Sequence, residues 1–138
     1  MIRANVVEAE LLLAQGRWTG AKQKALAVMN AIQAEAMAGD DRRLRMDRAR
    51  ALLVSGAVAE AEGDNELAVS SRERSLGLIV ELRKRRPVDP QLIALQARAL
   101  FTLGRDQEAE NAIGTLNEMG VQDARLSALK AAAQQLRR

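Results

Sequence analysis

The sequence predicts an all-α chain built from antiparallel helical hairpins. Three observations carry this expectation. Gly, four residues and an Ala recur as Gly16-Arg17-Trp18-Thr19-Gly20-Ala21, Gly63-Asp64-Asn65-Glu66-Leu67-Ala68 and Gly104-Arg105-Asp106-Gln107-Glu108-Ala109. Each copy lies between two stretches of helical periodicity, the mark of a repeated helix-turn-helix unit. Hydrophobic residues make up 48% of the 138 residues but aromatics only 1%, with Trp18 and Phe101 the sole examples. A core of Ala, Leu, Val, Ile and Met suits close helix packing, whereas strands favour aromatic and β-branched side chains. The only two prolines are Pro87 and Pro90, so helix is permitted almost everywhere else.

Seven helices follow. The first spans about 2–15, with Val6, Ala9, Leu12 and Leu13 as its apolar stripe, and Gly16 ends it. Thr19 is positioned to cap the second, about 20–38, which turns Ala25, Val28, Met29 and Ile32 inward. Gly39 stops that helix and Asp40 caps the third, about 41–62, which ends at Gly63. Asp64 caps the fourth, about 65–85, whose stripe is Leu67, Ala68, Ser71, Ser75, Leu78, Ile79 and Leu82. The cations Arg83, Lys84, Arg85 and Arg86 suit the negative end of its dipole. Pro87-Val88-Asp89-Pro90 is the clearest break, with Asp89 as N-cap and Pro90 at the first position of a fifth helix, about 90–103. The sixth covers about 107–118 and stops at Gly120. Asp123 caps a seventh, about 123–137, with Leu126, Leu129, Ala133 and Leu136 on one face.

Pairing these helices gives one domain over 1–138, with hairpins at about 2–39, 40–86 and 89–120 and a C-terminal capping helix. No equivalent cap precedes the first hairpin. That asymmetry suggests a piece of a longer protein, or an end covered by a partner.

Composition narrows the function classes. Cys and His are both absent, which removes thiolate nucleophiles, disulfides, Cys/His metal sites and imidazole acid–base chemistry. No nucleophile–base pair or phosphate-cradling loop can be assembled, so the expectation is a protein that is not an enzyme and holds no cofactor or metal. The Cys-free chain, lacking a signal-peptide pattern, fits a cytoplasmic location. Apolar runs as short as Ala51–Val54 cannot span a bilayer. The net charge of +3 is a weak pointer to an acidic partner.

The repeated turns resemble tetratricopeptide repeats. That family places a small residue about seven positions before the turn glycine, here Ala9, Gly56 and Ala97. It often has an aromatic two residues after the glycine and an Ala three further on. Gly16, Trp18 and Ala21 match all three positions, while Gly63 with Ala68 and Gly104 with Ala109 keep the glycine and alanine. Four places after the Ala the family favours a large apolar residue. The chain has Ala25, Arg72 and Ile113 there, and Arg72 departs from the pattern. Gly16 and Gly63 stand 47 residues apart and Gly63 and Gly104 stand 41 apart, against a family period of about 34. The resemblance implies a right-handed α-solenoid of three hairpins plus the capping helix, with Trp18 packed between the helices of its hairpin. The segment from Leu95 to about Leu129 is similar to the last repeats of some bacterial serine/threonine protein kinases. The long repeats also look like the superhelical sensor domains of bacterial transcription activators.

The resemblance further implies a protein-binding scaffold or regulatory domain of bacterial signalling type. Its concave face would be lined by the first helix of each hairpin. Carried over, that face comprises Arg3, Val6 and Glu10, then Arg50, Leu53, Ala57 and Glu60, then Gln91, Ala94, Arg98 and Phe101. Arginines among small apolar residues would suit an acidic peptide or a C-terminal carboxylate. Two alternatives stay open: a ligand-sensing superhelical domain, and a homo-oligomer or neighbouring-domain contact at the N-terminal end.

Other charged clusters point less clearly. Arg42, Arg43, Arg45, Arg48 and Arg50 surround their helix at about 100° per residue and are interleaved with Asp40, Asp41 and Asp47. They read as a helix end projecting into solvent. Without Tyr there is little platform for base stacking, which argues against nucleic acid. Arg83–Arg86 reads as a solubility cluster at a helix end. Glu60, Glu62, Asp64 and Glu66 flank a turn, where capping explains them better than metal binding.

Overall fold

A computed structural model describes residues 2–35 and 42–121. These residues form six α-helices and no strand: α1 (Ile2–Ala14), α2 (Trp18–Glu35), α3 (Arg42–Ala61), α4 (Asn65–Arg85), α5 (Pro90–Thr102) and α6 (Asp106–Glu118). The all-α class therefore holds. The expected stop at Gly39, the cap at Asp40 and the seventh helix lie outside the described residues.

The Gly–Ala repeat has one structural meaning at all three turns. Gly16, Gly63 and Gly104 adopt φ of 72°, 84° and 76°, the left-handed region that a side chain resists. Each glycine N–H reaches back three residues, to the carbonyls of Leu13, Glu60 and Phe101 at 3.0 Å. The next N–H reaches back five, from Arg17 to Leu12, Asp64 to Ala59 and Arg105 to Leu100, at 2.8–2.9 Å. These paired bonds satisfy carbonyls that the ending helix would leave open. The residue after the glycine then opens the next helix, because its carbonyl accepts the alanine N–H: Ala21 to Arg17, Ala68 to Asp64, Ala109 to Arg105. The alanine is thus the first residue to donate a helical bond, and all three are buried. The spacing from Gly to Ala is the distance from one helix stop to the first inward position of its partner. Gly120 ends α6 with the same pair of bonds.

Helix starts follow local chemistry, with one correction. Asp64 caps α4 by accepting the Leu67 N–H at 3.1 Å, and Asp89 caps α5 by accepting the Gln91 N–H at 3.0 Å. Pro90 occupies the first helical position, where it removes no needed donor. Thr19 does not cap α2. That helix starts two residues earlier than expected, at Trp18, because the carbonyl of Arg17 has already become the first acceptor.

The contacts divide the chain into two compact units, Met1–Leu78 and Ile79–Arg138, with the boundary inside α4. In the first unit α1, α2 and α3 meet in two apolar clusters. One joins Ala9, Ala21, Ala25, Val54 and Val58, with Leu12 and Leu13 against it. The other joins Val6, Val28, Ile32 and Ala51, with Ile2, Met29 and Leu44 beside it. Alanines at the crossing let the helix axes approach. In the second unit Ile93 and Ala97 of α5 pack on Ala112 and Leu116 of α6.

The second hairpin departs from the apolar pattern in a specific way. Ser75 is fully buried and donates its hydroxyl to the Ala49 carbonyl of α3 at 2.7 Å. Arg72, also buried, runs its aliphatic stem over Gly56 and reaches Glu60 at 2.7 Å. A β-carbon at position 56 would stand 2.9 Å from Arg72 Cγ and 3.2 Å from the Ala68 carbonyl oxygen. Gly56 is therefore the small residue of this crossing because an arginine stem fills the space that an apolar side chain fills elsewhere. Leu67, expected inward, is exposed.

Candidate interaction surfaces

The charged residues assigned to a concave binding face are instead tied to one another in the first unit. Arg50 of α3 donates to Glu10 of α1 through Nε, at 3.3 Å to Oε2, and through a terminal nitrogen to Oε1. Asp47, one turn earlier on α3, is buried with its side chain 5% exposed. Arg3 donates to it from α1 through Nε at 3.3 Å, and Arg50 Nη1 lies 4.0 Å from the same oxygen. The residues sit at positions 3 and 10 of one helix and 47 and 50 of another, each pair on one helical face. Two arginines and two carboxylates thus alternate along the α1–α3 seam, and buried charges of this kind need such pairing. Arg50 and Glu10 are occupied structurally.

The apolar members of the face are corrected as well. Val6 is fully buried in the α1–α2–α3 core, and Leu53 and Phe101 are buried at 7% and 8% exposure. Ala57 and Ala94 are partly buried, with Ala94 packed on the α5–α6 cluster. Glu60 is exposed but holds Arg72. Gln91 is exposed and Arg98 partly buried on α5. The surface that remains open at these eleven positions is small and polar.

The other singled-out clusters are largely structural. Of the arginines at the start of α3, only Arg43 is exposed; Arg42, Arg45, Arg48 and Arg50 are partly buried. The helix end does not stand free in solvent, because Asp47 draws Arg3 and Arg50 across it. Arg83 is a turn staple: it donates to Gln96 Oε1 at 2.6 Å and to the Pro87 carbonyl at 3.0 Å. Lys84 pairs with Glu81 at 2.9 Å, and Arg85 and Arg86 are exposed. Glu62 pairs with Lys22 at 3.3 Å, Glu60 with Arg72, and Asp64 caps α4. Among the described residues no three acidic side chains converge as a metal site would require. An open depression of about 300 Å³ at the α5–α6 turn is lined by Gly104, Arg105, Asp106, Gln107, Glu108 and Glu110, a strongly polar set. No described helix is long and apolar enough to cross a membrane.

Trp18 is also corrected: it is 42% exposed and does not lie buried between α1 and α2. Leu12 packs against the alanines of that crossing. Its Cδ1 would stand 3.3 Å from a β-carbon at Gly20. One surface was not anticipated. Ala4, Val7, Leu11 and Ala14 are all exposed on α1, with Val7 at 50% and Leu11 at 55%. At about 100° per residue they form one continuous stripe opposite Val6, Ala9 and Leu13. Arg3 and Glu10 border it on the α3 side, and Glu8, paired with Lys24 of α2 at 3.2 Å, borders it on the other. The spacing of 3, 4 and 3 residues was visible in the sequence. The inward stripe, with its larger share of the family pattern, masked it.

No family model, curated protein or solved structure matches this chain.

Proposed function

We propose that the chain is a non-catalytic protein-interaction module of tetratricopeptide-like type, a helical-hairpin solenoid that acts as a scaffold or regulatory domain. The recurrence of one turn geometry at Gly16, Gly63 and Gly104 supports the repeat reading. The observation that carries the functional reading is the solvent-facing stripe Ala4, Val7, Leu11 and Ala14. Charged side chains that could do chemistry are consumed by internal pairing at Glu10–Arg50, Arg3–Asp47 and Glu60–Arg72. An apolar helix face bordered by charge is the form in which helices recognise other helices. The binding face is therefore placed on the outer side of α1, and not on the concave face with Arg50 and Arg98.

Site-specific photocross-linking tests this reading. A benzophenone side chain at position 11 should form a protein adduct in cells, whereas one at Gln91 should form none. Adducts from position 91 alone, or from neither position, would contradict it.

A further inference from the structure

The outer stripe of α1 has the spacing of a coiled-coil seam. Ala4, Val7, Leu11 and Ala14 occupy successive core positions of two heptads. Val6 and Ala9 hold the opposite face in the core of the first unit, so the helix presents this seam outward without unfolding.

The residues bordering the seam define which partner fits. In heptad order Arg3 and Glu10 occupy the position before each first core residue, and Glu8 and Gln15 the position after each second one. When two such helices run parallel in register, each forward position faces the rear position five residues on in the other helix. Two copies of α1 then set Arg3 against the second copy's Glu8, twice. They also set Glu10, already neutralised by Arg50, against the second copy's uncharged Gln15. Run antiparallel with Val7 opposite Leu11, the same helices bring Glu8 to Glu8 and lose both Arg3–Glu8 pairs. Like charges so placed are unfavourable.

The side chains are free to pair in this way. Arg3 is 54% exposed and uses its Nε on Asp47, which leaves its terminal nitrogens for a second carboxylate. Glu8 is 51% exposed, and its pair with half-exposed Lys24 is of the surface kind that exchanges readily.

We propose that the outer face of α1 is a self-association surface, on which a second copy of this chain docks through a parallel, in-register α1–α1 seam. This rests on the placement of the binding face above and goes further by naming its occupant. Two heptads on a helix about 20 Å long give a small interface. The association is accordingly weak and concentration-dependent.

The absence of native cysteine makes the test direct. Leu11→Cys alone should form a disulfide dimer under mild oxidation, well above the level of Glu73→Cys, an exposed control on α4. Mixing Leu11→Cys with Val7→Cys should give no excess of the mixed dimer. In sedimentation, the cysteine-free chain should show a concentration-dependent dimer, weakened at least tenfold by Glu8→Arg. Circular dichroism would show that Glu8→Arg keeps the fold. A predominant mixed 7–11 disulfide would overturn the parallel seam. A chain monomeric at every concentration would overturn self-association. If position 11 still cross-linked another protein, the binding face would stand and only its occupant would be wrong.

Discussion

Helices α1 and α5 begin hairpins that end in the same turn, yet they are buried to very different degrees. Each has thirteen residues and closes on a glycine with the same two backward hydrogen bonds. In α5 seven residues are buried: Leu92, Ile93, Leu95, Ala97, Ala99, Leu100 and Phe101. In α1 only Val6 and Ala9 are. The turn is a local device, written in five or six residues and indifferent to its surroundings. Burial is a tertiary outcome. α1 compensates for its thin apolar contact with charge, tying itself to α3 through Arg50–Glu10 and Arg3–Asp47 and leaving its other face open.

This contrast can be broken most forcefully at Arg50. Arg50→Ala removes the cation between Glu10 and Asp47, whose side chains are 11% and 5% exposed. Asp47 keeps Arg3, but removing this cation from beside two nearly buried carboxylates should still cost about 3 kcal/mol. Urea denaturation should show the loss, with α1 amides the first to gain hydrogen exchange. Arg50→Glu would cost more, since it sets a third carboxylate beside Glu10 and Asp47.

The next largest effect sharpens the comparison itself. Leu92→Ala, at a fully buried position of α5, should cost about 2–5 kcal/mol. Leu11→Ala on α1 should change stability by no more than about 0.5 kcal/mol. Equal costs would mean that Leu11 is covered in solution. The smallest effect concerns what the two hairpins share. Gly16→Ala and Gly104→Ala both force a side chain into the left-handed region, with no neighbouring atom within 4 Å to add a steric difference. Each should lose about 1–2 kcal/mol, and the two losses should agree closely in thermal melts.

Much of the fold was legible because its signals are local. Gly63 with Asp64, and Asp89 with Pro90, fix the end of α3 and the starts of α4 and α5 from adjacent residues alone. The site was far less legible. Arg50 and Glu10 are 40 residues apart, and Arg3 and Asp47 are 44 apart. Nothing in a linear pattern tells an arginine that binds a partner from one that binds its own chain. Arg72 illustrates the same limit, since its place inside the second hairpin follows from the missing side chain of Gly56 on another helix. Trp18 misled for a related reason: its exposure depends on how α1 and α2 pack, where Leu12 lies against Gly20.

The central claim is that α1 docks a second copy of this chain on the side away from its own core. Backbone amide NMR spectra recorded from dilute to concentrated protein test it most directly. The account predicts concentration-dependent shifts at Arg3, Ala4, Val7, Glu8, Leu11 and Ala14, with α5 amides unmoved. Shifts centred on Gln91 and Arg98 of α5, or none on α1 at any concentration, would contradict it.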